Sequence, residues 1–350
     1  MARLRRRSAT RASDDASERL RACWLYYQQG LTQKDVADRL GVSRGTIVKL
    51  LEEAKARGEV RIFIGEGERR CLALAAELEA KFGLDEAIVA PAGEGPAAIA
   101  GAVGLALGQF LSEAVADAMT IGVGWGRTLT ASLSSILPAR RRGVKIVSLV
   151  GGLVAARGAN PLEFAWRLAA EFDAECYAFV APVLVDTPET KRLLDEESGL
   201  AQIFRLARQL DVAVLGVGDV ARFSGGQAAT LVSPHELDEL LALGAVADVL
   251  CNFLDRDGFS VAHPVNARVM SASLDDVRRA KHVVLASGGA NRAMAIRAAM
   301  RRVGCNTLVT DESAARALVE IADGPLLPAT RGEEPVPGRS PGDGGREPAG

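Results

Sequence analysis

The chain has 350 residues, of which 48% are hydrophobic, 25% charged and 5% aromatic; this composition excludes wholesale disorder and favours two globular domains. Its five cysteines are odd in number and form no CxxC pair, so they indicate neither a disulfide framework nor a zinc-thiolate site and are typical of a reducing cytoplasm. The net charge is −2, yet residues 1–64 carry 14 Arg and Lys against 8 Asp and Glu, whereas the remainder carries 28 against 36. The N-terminal part therefore suits a polyanion.

Helical spacing begins shortly after the N-terminus. Residues 1–14 are rich in arginine and lead into no apolar segment, so we predict a basic disordered arm rather than a secretion signal. Apolar residues then recur three and four positions apart, as in Leu20, Cys23 and Tyr27. They predict a first helix that Gly30 ends.

Two further helices are predicted in the segment LTQKDVADRLGVSRGTIVKLLEEA. Thr32 is the predicted N-cap of a helix over Gln33–Leu40. Ser43 is the predicted N-cap of the next helix, from Arg44 to about Ala56, which Gly58 ends.

The spacing of these helices is that of a helix-turn-helix. Ala37 is small enough for two helices to cross closely, and Gly41 supplies the tight turn, so residues 15–64 are predicted to be a DNA-binding domain. A helical hairpin with incidental charges is the alternative. The first turns of a recognition helix face the major groove. The candidate DNA-binding residues at the starts of the two helices are Gln33, Lys34, Ser43, Arg44, Thr46 and Lys49.

A short β-type run and a helix connect this domain to the next. The run, Val60–Ile64, is interpreted as a wing or a linker. The helix is predicted over Cys71–Phe82, with Leu72, Ala75 and Leu78 on one apolar side.

A doubly wound α/β domain is predicted over residues 65–325. Strand-like runs separated by helical segments imply a Rossmann-like, largely parallel sheet covered on both faces. The runs are residues 87–90, 119–123, 145–150, 176–181, 212–217, 247–250, 282–286 and 306–309. The apolar window 97–111 is shorter than a membrane span, so it predicts a buried helix and no membrane association. Its Gly104 and Gly108 predict close approach to a sheet or another helix.

Ligands of such folds bind at the carboxyl ends of the strands, where this sequence has glycine-rich loops. In the first, IGVGWGRTL, Gly124 and Gly126 precede Arg127 and Thr128, which could cradle an anion. Trp125 either stacks on a sugar or packs under the loop. The loop lacks both the GxGxxG spacing of dinucleotide sites and the Lys of a P-loop, and no cofactor is predicted.

Three other loops supply candidate ligand residues, each with a structural alternative. Gly152 and Asn160 follow the third strand, although Asn160 is equally well explained as an N-cap. Asp219 could accept hydrogen bonds from hydroxyls, or shape a turn. Gly289 precedes Arg292, a cation that could meet a phosphate.

Catalytic patterns are scarce. The three histidines are scattered, no HExxH or GxSxG motif occurs, and no catalytic residue or metal site is predicted. Asp257, in the segment FLDRDGF, is interpreted as a turn residue with a ligand role as the alternative.

The order of these motifs resembles the SorC family of bacterial sugar-responsive transcriptional regulators over about residues 15–325. The resemblance is carried by the helix-turn-helix followed by GVGWGRTL, VGG, Asn-Pro, LGVGD, DRDG, GGANRAMAIRAAM and NTLVTDESAARAL. It implies an effector domain related to sugar-phosphate isomerases, phosphorylated sugars or polyols as effectors, and homodimers or homotetramers on operator DNA. It also implies that the Gly124–Thr128 loop, Asp219, Asp257 and the cation at Arg292 surround the effector. The family commonly carries Lys at this last position; Arg retains phosphate binding but excludes Schiff-base chemistry.

We therefore expect a cytoplasmic bacterial transcriptional regulator, not an enzyme, that binds double-stranded operator DNA with an affinity controlled by its effector. The alternative is a sugar-phosphate isomerase-type enzyme carrying a DNA-binding appendage, although no acid–base pair is visible. Residues 326–350 are rich in Gly and Pro and predict a disordered tail.

Overall fold

The computed structural model describes residues 17–57, 59–60, 66–153, 160–220 and 231–321. The chain divides into two compact units, which we call the first unit (residues 1–65) and the second unit (residues 66–350). The predicted arm and tail, Gly58 and residues 61–64 of the β-type run lie outside the described residues.

The first unit is helical, with the helix limits that its capping residues predict. Residues 17–28 form α1, whose last five residues, Trp24–Gln28, make a π-helical turn. Helix α2 is Gln33–Leu40 and helix α3 is Arg44–Ala56. The Thr32 and Ser43 side chains accept hydrogen bonds from the backbone of the first turns, at 3.2 and 3.1 Å. Both predicted N-caps are therefore confirmed.

A small apolar core and one partly buried ion pair hold these helices together. Buried side chains come from all three helices, including Leu25, Val36 and Ile47. Arg19 of α1 is 4% exposed, and its guanidinium donates to both carboxylate oxygens of Glu59 at 2.6 and 2.5 Å. This hydrogen bond lowers the pKa of Glu59. Arg19 therefore stabilises the fold, and its charge does not contribute to the basic surface.

The described part of the second unit contains a seven-stranded parallel sheet in the order β1-β10-β9-β5-β2-β3-β4. Its strands are β1 (Glu86–Ala90), β2 (Thr120–Val123), β3 (Lys145–Ser148), β4 (Glu175–Tyr177), β5 (Val212–Gly216), β9 (His282–Ala286) and β10 (Thr307–Asp311). A separate antiparallel sheet, in the order β6-β7-β8, consists of β6 (Gly218–Asp219), β7 (Ala245–Val249) and β8 (Asn252–Asp255). The α/β fold class predicted from the sequence is confirmed.

Helices cover both faces of the parallel sheet. One face packs against α5 (Gly95–Ala114), α6 (Arg127–Ser132) and α7 (Pro161–Glu171). The other packs against α4 (Glu66–Phe82), α9 (Ala201–Ala207), α11 (Leu274–Val277), α12 (Ala293–Val303) and α13 (Glu312–Glu320). The remaining helices are α8 (Pro188–Glu197) and α10 (Pro234–Ala242), with short 3₁₀ turns at Pro264–Arg268 and Ala290–Arg292. Because both faces of the sheet are buried, successive residues of each strand are apolar, and the strands are continuous apolar runs in the sequence.

Some element predictions were wrong. The run 247–250 belongs to the antiparallel sheet, and the run 176–181 is a strand only as far as Tyr177. Leu72 is 61% exposed, because the buried side of α4 follows the spacing of Cys71, Ala75 and Leu78 instead.

Helix α5 packs closely on α6, as its two glycines predict. A Cβ atom at Gly104 would lie 2.6 Å from the Ala131 Cβ, and one at Gly108 would collide with the Ser132 carbonyl. Of the described helices, α5 alone is long and apolar enough to cross a membrane by length and composition. In the structure, residues such as Val103 and Leu107 bury one side of it against the sheet.

Candidate functional site

The predicted DNA-binding residues lie at the starts of α2 and α3. Lys34, Arg44 and Lys49 are exposed, and Arg44 Nε donates to Gln33 Oε1 at 3.3 Å, which joins the two helix starts. Of the carboxylates in the described part of the first unit, none lies within ion-pair distance of these three cations. Their charges therefore remain available to phosphate.

The two hydroxyl candidates already have partners within the protein. Ser43 Oγ caps α3 and lies 2.8 Å from Thr46 Oγ1. Gly45, between them, is exposed, and a Cβ there would meet Ser43 Oγ at 3.7 Å, an ordinary van der Waals distance. The hydroxyls are thus better placed to set the geometry of α3 than to read bases.

The first glycine-rich loop folds over the end of β5. Gly124 N–H donates to the Val214 carbonyl at 2.8 Å, and a Cβ at Gly216 would lie 2.7 Å from the Trp125 carbonyl. Gly126 has a φ of 131°, a conformation that side chains rarely adopt. Arg127 is exposed and Thr128 is buried at the start of α6, which follows.

A strained hairpin turn lies beneath this loop. Leu250 and Cys251 connect β7 to β8 with φ values of 50° and 64°, and both residues are buried. A left-handed conformation is costly for residues other than glycine and is concentrated at functional sites. The glycine loop packs on this turn: a Cβ at Gly124 would lie 3.1 Å from Leu250 Cδ2, and the Trp125 side chain is near enough to the Cys251 thiol to lower its pKa in part. Neither of the two turn positions carries a Gly or Asn that would have indicated the turn.

Asp248 is a buried carboxylate that the sequence analysis missed. It is 8% exposed and pairs with Gly218 across β6 and β7. Burial raises its pKa to about 6; the Cys251 backbone N–H and the charge of Arg292 lower it in part, and the charge of Asp219 raises it. Asp219, Asp248 and Arg292 therefore lie within electrostatic reach of one another. The only sequence signal was an aspartate inside an apolar strand.

A second buried carboxylate orients the loop that carries Arg292. Asp311, at the end of β10, is fully buried and accepts a hydrogen bond from the Gly289 N–H at 2.6 Å. It also caps α13 by accepting from the Ser313 N–H at 3.1 Å. Gly289 has a φ of 102°, so the loop needs glycine at that position.

Gly152 and Asn160 lie together at the end of β3. A Cβ at Gly152 would be 3.5 Å from Asn160 Oδ1. The Asn160 amide accepts from the Leu162 N–H at 3.2 Å and donates to the Leu153 carbonyl at 3.1 Å. Its contacts among the described residues are those of an N-cap. Residues 154–159 of this loop lie outside them.

Asp257 contacts its own turn and the last part of α12. It pairs with Arg301 at 3.3 Å, and its N–H donates to Asp255 Oδ1 at 2.9 Å, as in a turn. Arg301 is nine residues beyond Arg292, roughly 13 Å along the α12 direction. These contacts are those of the turn interpretation, and the ligand role of Asp257 stays a prediction. Within the described ranges, no group of three or more His, Cys, Asp or Glu side chains is arranged to hold a metal ion.

Comparison with known protein families gives two matches. Residues 68–320 match a family described as a sugar-binding domain, and residues 13–61 match a homeodomain-like domain.

Known regulators resemble the chain over most of its length. The erythritol catabolism regulatory protein EryD of Brucella abortus is 30% identical over 311 residues, covering 88% of this chain and 98% of that protein. The sorbitol operon regulator of Klebsiella pneumoniae is 30% identical and covers 88% and 99%. The crystal structure of the full-length sorbitol operon regulator SorC from Klebsiella pneumoniae has a TM-score of 0.67 at 27% identity and covers 88% of this chain and all of that one.

Proposed function

Because the chain belongs to the SorC family of bacterial sugar-binding transcriptional regulators, we propose that a phosphorylated sugar or polyol, bound at the strand ends of its second unit, controls its affinity for operator DNA. It is a regulator with a helix-turn-helix and a sugar-binding domain, and not an enzyme. Two relatives, named for erythritol catabolism and the sorbitol operon, support a polyol as one effector class.

The observation that carries this proposal is the electrostatic interaction of two carboxylates and a cation at the strand ends. Asp219 and Asp248 are acceptors suited to sugar hydroxyls, and Arg292 is a cation suited to phosphate. Two loops support the proposal: Gly124 of the glycine loop packs on the Leu250–Cys251 turn, whose backbone N–H bonds Asp248, and Asp311 holds Gly289 of the loop that carries Arg292.

Effector binding is proposed to shift the population between DNA-competent and DNA-incompetent forms of a cytoplasmic homo-oligomer. A symmetric dimer would present two copies of α3 to DNA, so the operator is expected to be pseudo-palindromic.

Replacing both Arg44 and Lys49 by alanine is expected to weaken operator binding by roughly 10- to 100-fold, because two phosphate or base contacts are lost. The measurement is the fluorescence anisotropy of labelled DNA from upstream of the gene, at several stated salt concentrations. The slope of log affinity against log salt should fall in magnitude by about 2 if both contacts are to phosphate.

The matched control for this pair is Lys55→Ala, which removes an exposed cation from the last turn of the same helix. It should leave operator binding within about twofold, since only the first turns enter the groove. Loss of effector binding in the Arg44/Lys49 variant would contradict separate sites for DNA and effector. Equal weakening of operator binding by Lys55→Ala would contradict the assignment of the first turns of α3 to the DNA-facing surface.

Effector affinity is expected to rise between pH 5 and pH 7. Burial raises the pKa of Asp248 to about 6, so the carboxyl group is mostly protonated at the lower pH and ionised at the higher one. Only the ionised group accepts charge-assisted hydrogen bonds from effector hydroxyls at both oxygens. Calorimetric titrations at pH 5, 6, 7 and 8 measure the change. The effector phosphate itself ionises near pH 6, so the comparison with Asp248→Asn isolates the carboxyl group. If effector affinity depends on pH in Asp248→Asn as it does in the parent chain, Asp248 does not bind the effector.

A further inference from the structure

None of the predicted effector residues is among those that line a polar cleft with a volume of about 730 Å³. It is bordered by α8 and α9 on one side and by the segment Ser271–Asp276 on the other. Arg302, near the end of α12, closes one part of it, and Asn252, at the start of β8, lines another. Its size is that of a small-molecule site.

The charges that line the cleft are balanced, and several are already paired. Arg302 bonds Asp275 at 2.7 Å, and Arg208 lies 3.5 Å from Asp276. With Glu196, Asp195, Lys191 and Arg205 added, the lining has four acidic and four basic side chains. A balanced lining disfavours a ligand with a net charge of −2, such as phosphate, and favours one of low net charge.

Lys191 and Asp195, one turn apart on α8 and within electrostatic reach of each other, take no part in these ion pairs. Asp195 Oδ1 is buried without a hydrogen-bond partner among the described residues. In the same part of the chain, no carboxylate lies within ion-pair distance of the Lys191 ammonium. Burial lowers the pKa of Lys191 and raises that of Asp195. A buried acceptor without a hydrogen bond destabilises the protein. A ligand with an anionic group and a hydrogen-bond donor could pair with Lys191 and with Asp195 at the same time.

The cleft is physically connected to the strained turn at the strand ends. Asn252 Nδ2 donates to the Leu250 carbonyl and to Ser271 Oγ, both at 3.0 Å. Leu250 and Cys251 form the left-handed turn on which Trp125 rests. Since Asn252 and Ser271 both line the cleft, a ligand there would touch the residues that hold the turn.

We propose that this cleft is a second ligand site, which binds a small carboxylic acid that also bears a hydroxyl or ammonium group. Lys191 receives the carboxylate, and Asp195 accepts from the donor group. Occupation is transmitted to Trp125 through Asn252 and the Leu250–Cys251 turn. The site is separate from the proposed effector site and does not depend on it.

The test uses the full chain with Trp24→Phe and Trp166→Phe, which leaves Trp125 as the only tryptophan. Both replaced side chains are more than half exposed, so the substitutions are expected to be tolerated. D-gluconate and L-serine are titrated as the hydroxyl-bearing and ammonium-bearing acids, with D-glucose and inorganic phosphate as comparisons. Calorimetry measures binding, and the Trp125 emission measures transmission.

At least one of the two acids should bind and change the emission. Asp195→Asn and Lys191→Met should each raise its Kd about tenfold or more, because a charge-assisted hydrogen bond is lost. Glu197→Gln, on the same helix and exposed, should have no effect. Circular dichroism establishes that each variant is folded.

Several results would overturn the proposal. These are no binding of either acid at millimolar concentration, binding that survives both substitutions, or binding of phosphate alone. Binding without a change in emission would refute the transmission to Trp125. Titration of the same variants with a phosphorylated polyol tests the strand-end site independently, because the cleft substitutions should leave that Kd unchanged.

Discussion

Replacing Gly108 by alanine is expected to lower the free energy of unfolding of the second unit by about 3 kcal/mol. The added Cβ would collide with the Ser132 carbonyl and with Ser135 Oγ, and would lie 3.2 Å from the Ile136 backbone nitrogen. Two of these three atoms are backbone, so neither a rotamer change nor a small side-chain shift relieves the overlap. Helix α5 would have to move away from α6 and open the core on that face of the sheet.

The matched control lies on the same helix. A Cβ at Gly101 has no heavy atom within 4 Å, and the residue is exposed. Gly101→Ala is therefore expected to raise the free energy of unfolding by about 0.5–1 kcal/mol, through helix propensity alone. Urea unfolding of both variants, followed by far-ultraviolet circular dichroism, measures the difference. Similar effects of the two substitutions would contradict the close packing of α5 on α6.

Gly218→Ala is expected to abolish effector binding, with a loss of at least about 100-fold in affinity. A Cβ at this position would collide with Asp248 Oδ1 and lie 2.8 Å from its Cγ. Either β6 separates from β7 or the buried carboxylate leaves its place beside Asp219 and Arg292. We expect an accompanying loss of about 2–3 kcal/mol in the free energy of unfolding, as is typical of overpacking. Calorimetry with a phosphorylated polyol and urea unfolding measure the two effects.

A double substitution separates this collision from a general effect of alanine. If the overlap with the carboxylate is the cause, Gly218→Ala should cost much less stability in an Asp248→Ala background than in the parent chain. Gly199→Ala, where the added Cβ meets nothing within 4 Å, should change neither stability nor binding appreciably. Equal costs of Gly218→Ala in the two backgrounds would show that the carboxylate is not what the Cβ meets.

Sequence reasoning succeeded where neighbouring residues determine the structure. The hydroxyls of Thr32 and Ser43 cap their own helices, and Gly41 adopts a left-handed conformation with a φ of 70°, so these limits follow from a few adjacent residues. The parallel strands were predictable for a related reason, because burial on both faces leaves an uninterrupted apolar run of four or five residues.

The failures depend on contacts between distant parts of the chain. The turn at Leu250 and Cys251 is made by two apolar residues, and its conformation is supported by Asn252 and by packing under Trp125. Asp248 becomes notable only once β7 places it next to Gly218.

The position of β1 has a consequence for how the protein is made. As the outermost strand of its sheet, β1 pairs with β10, which lies more than 200 residues later in the chain. That edge cannot form until the ribosome has released residues Thr307–Asp311, and closing so long a loop is entropically slow. Among the described residues, the core of the first unit ends at Val60. A nascent chain therefore has a complete helix-turn-helix well before the sheet that is proposed to regulate it can close.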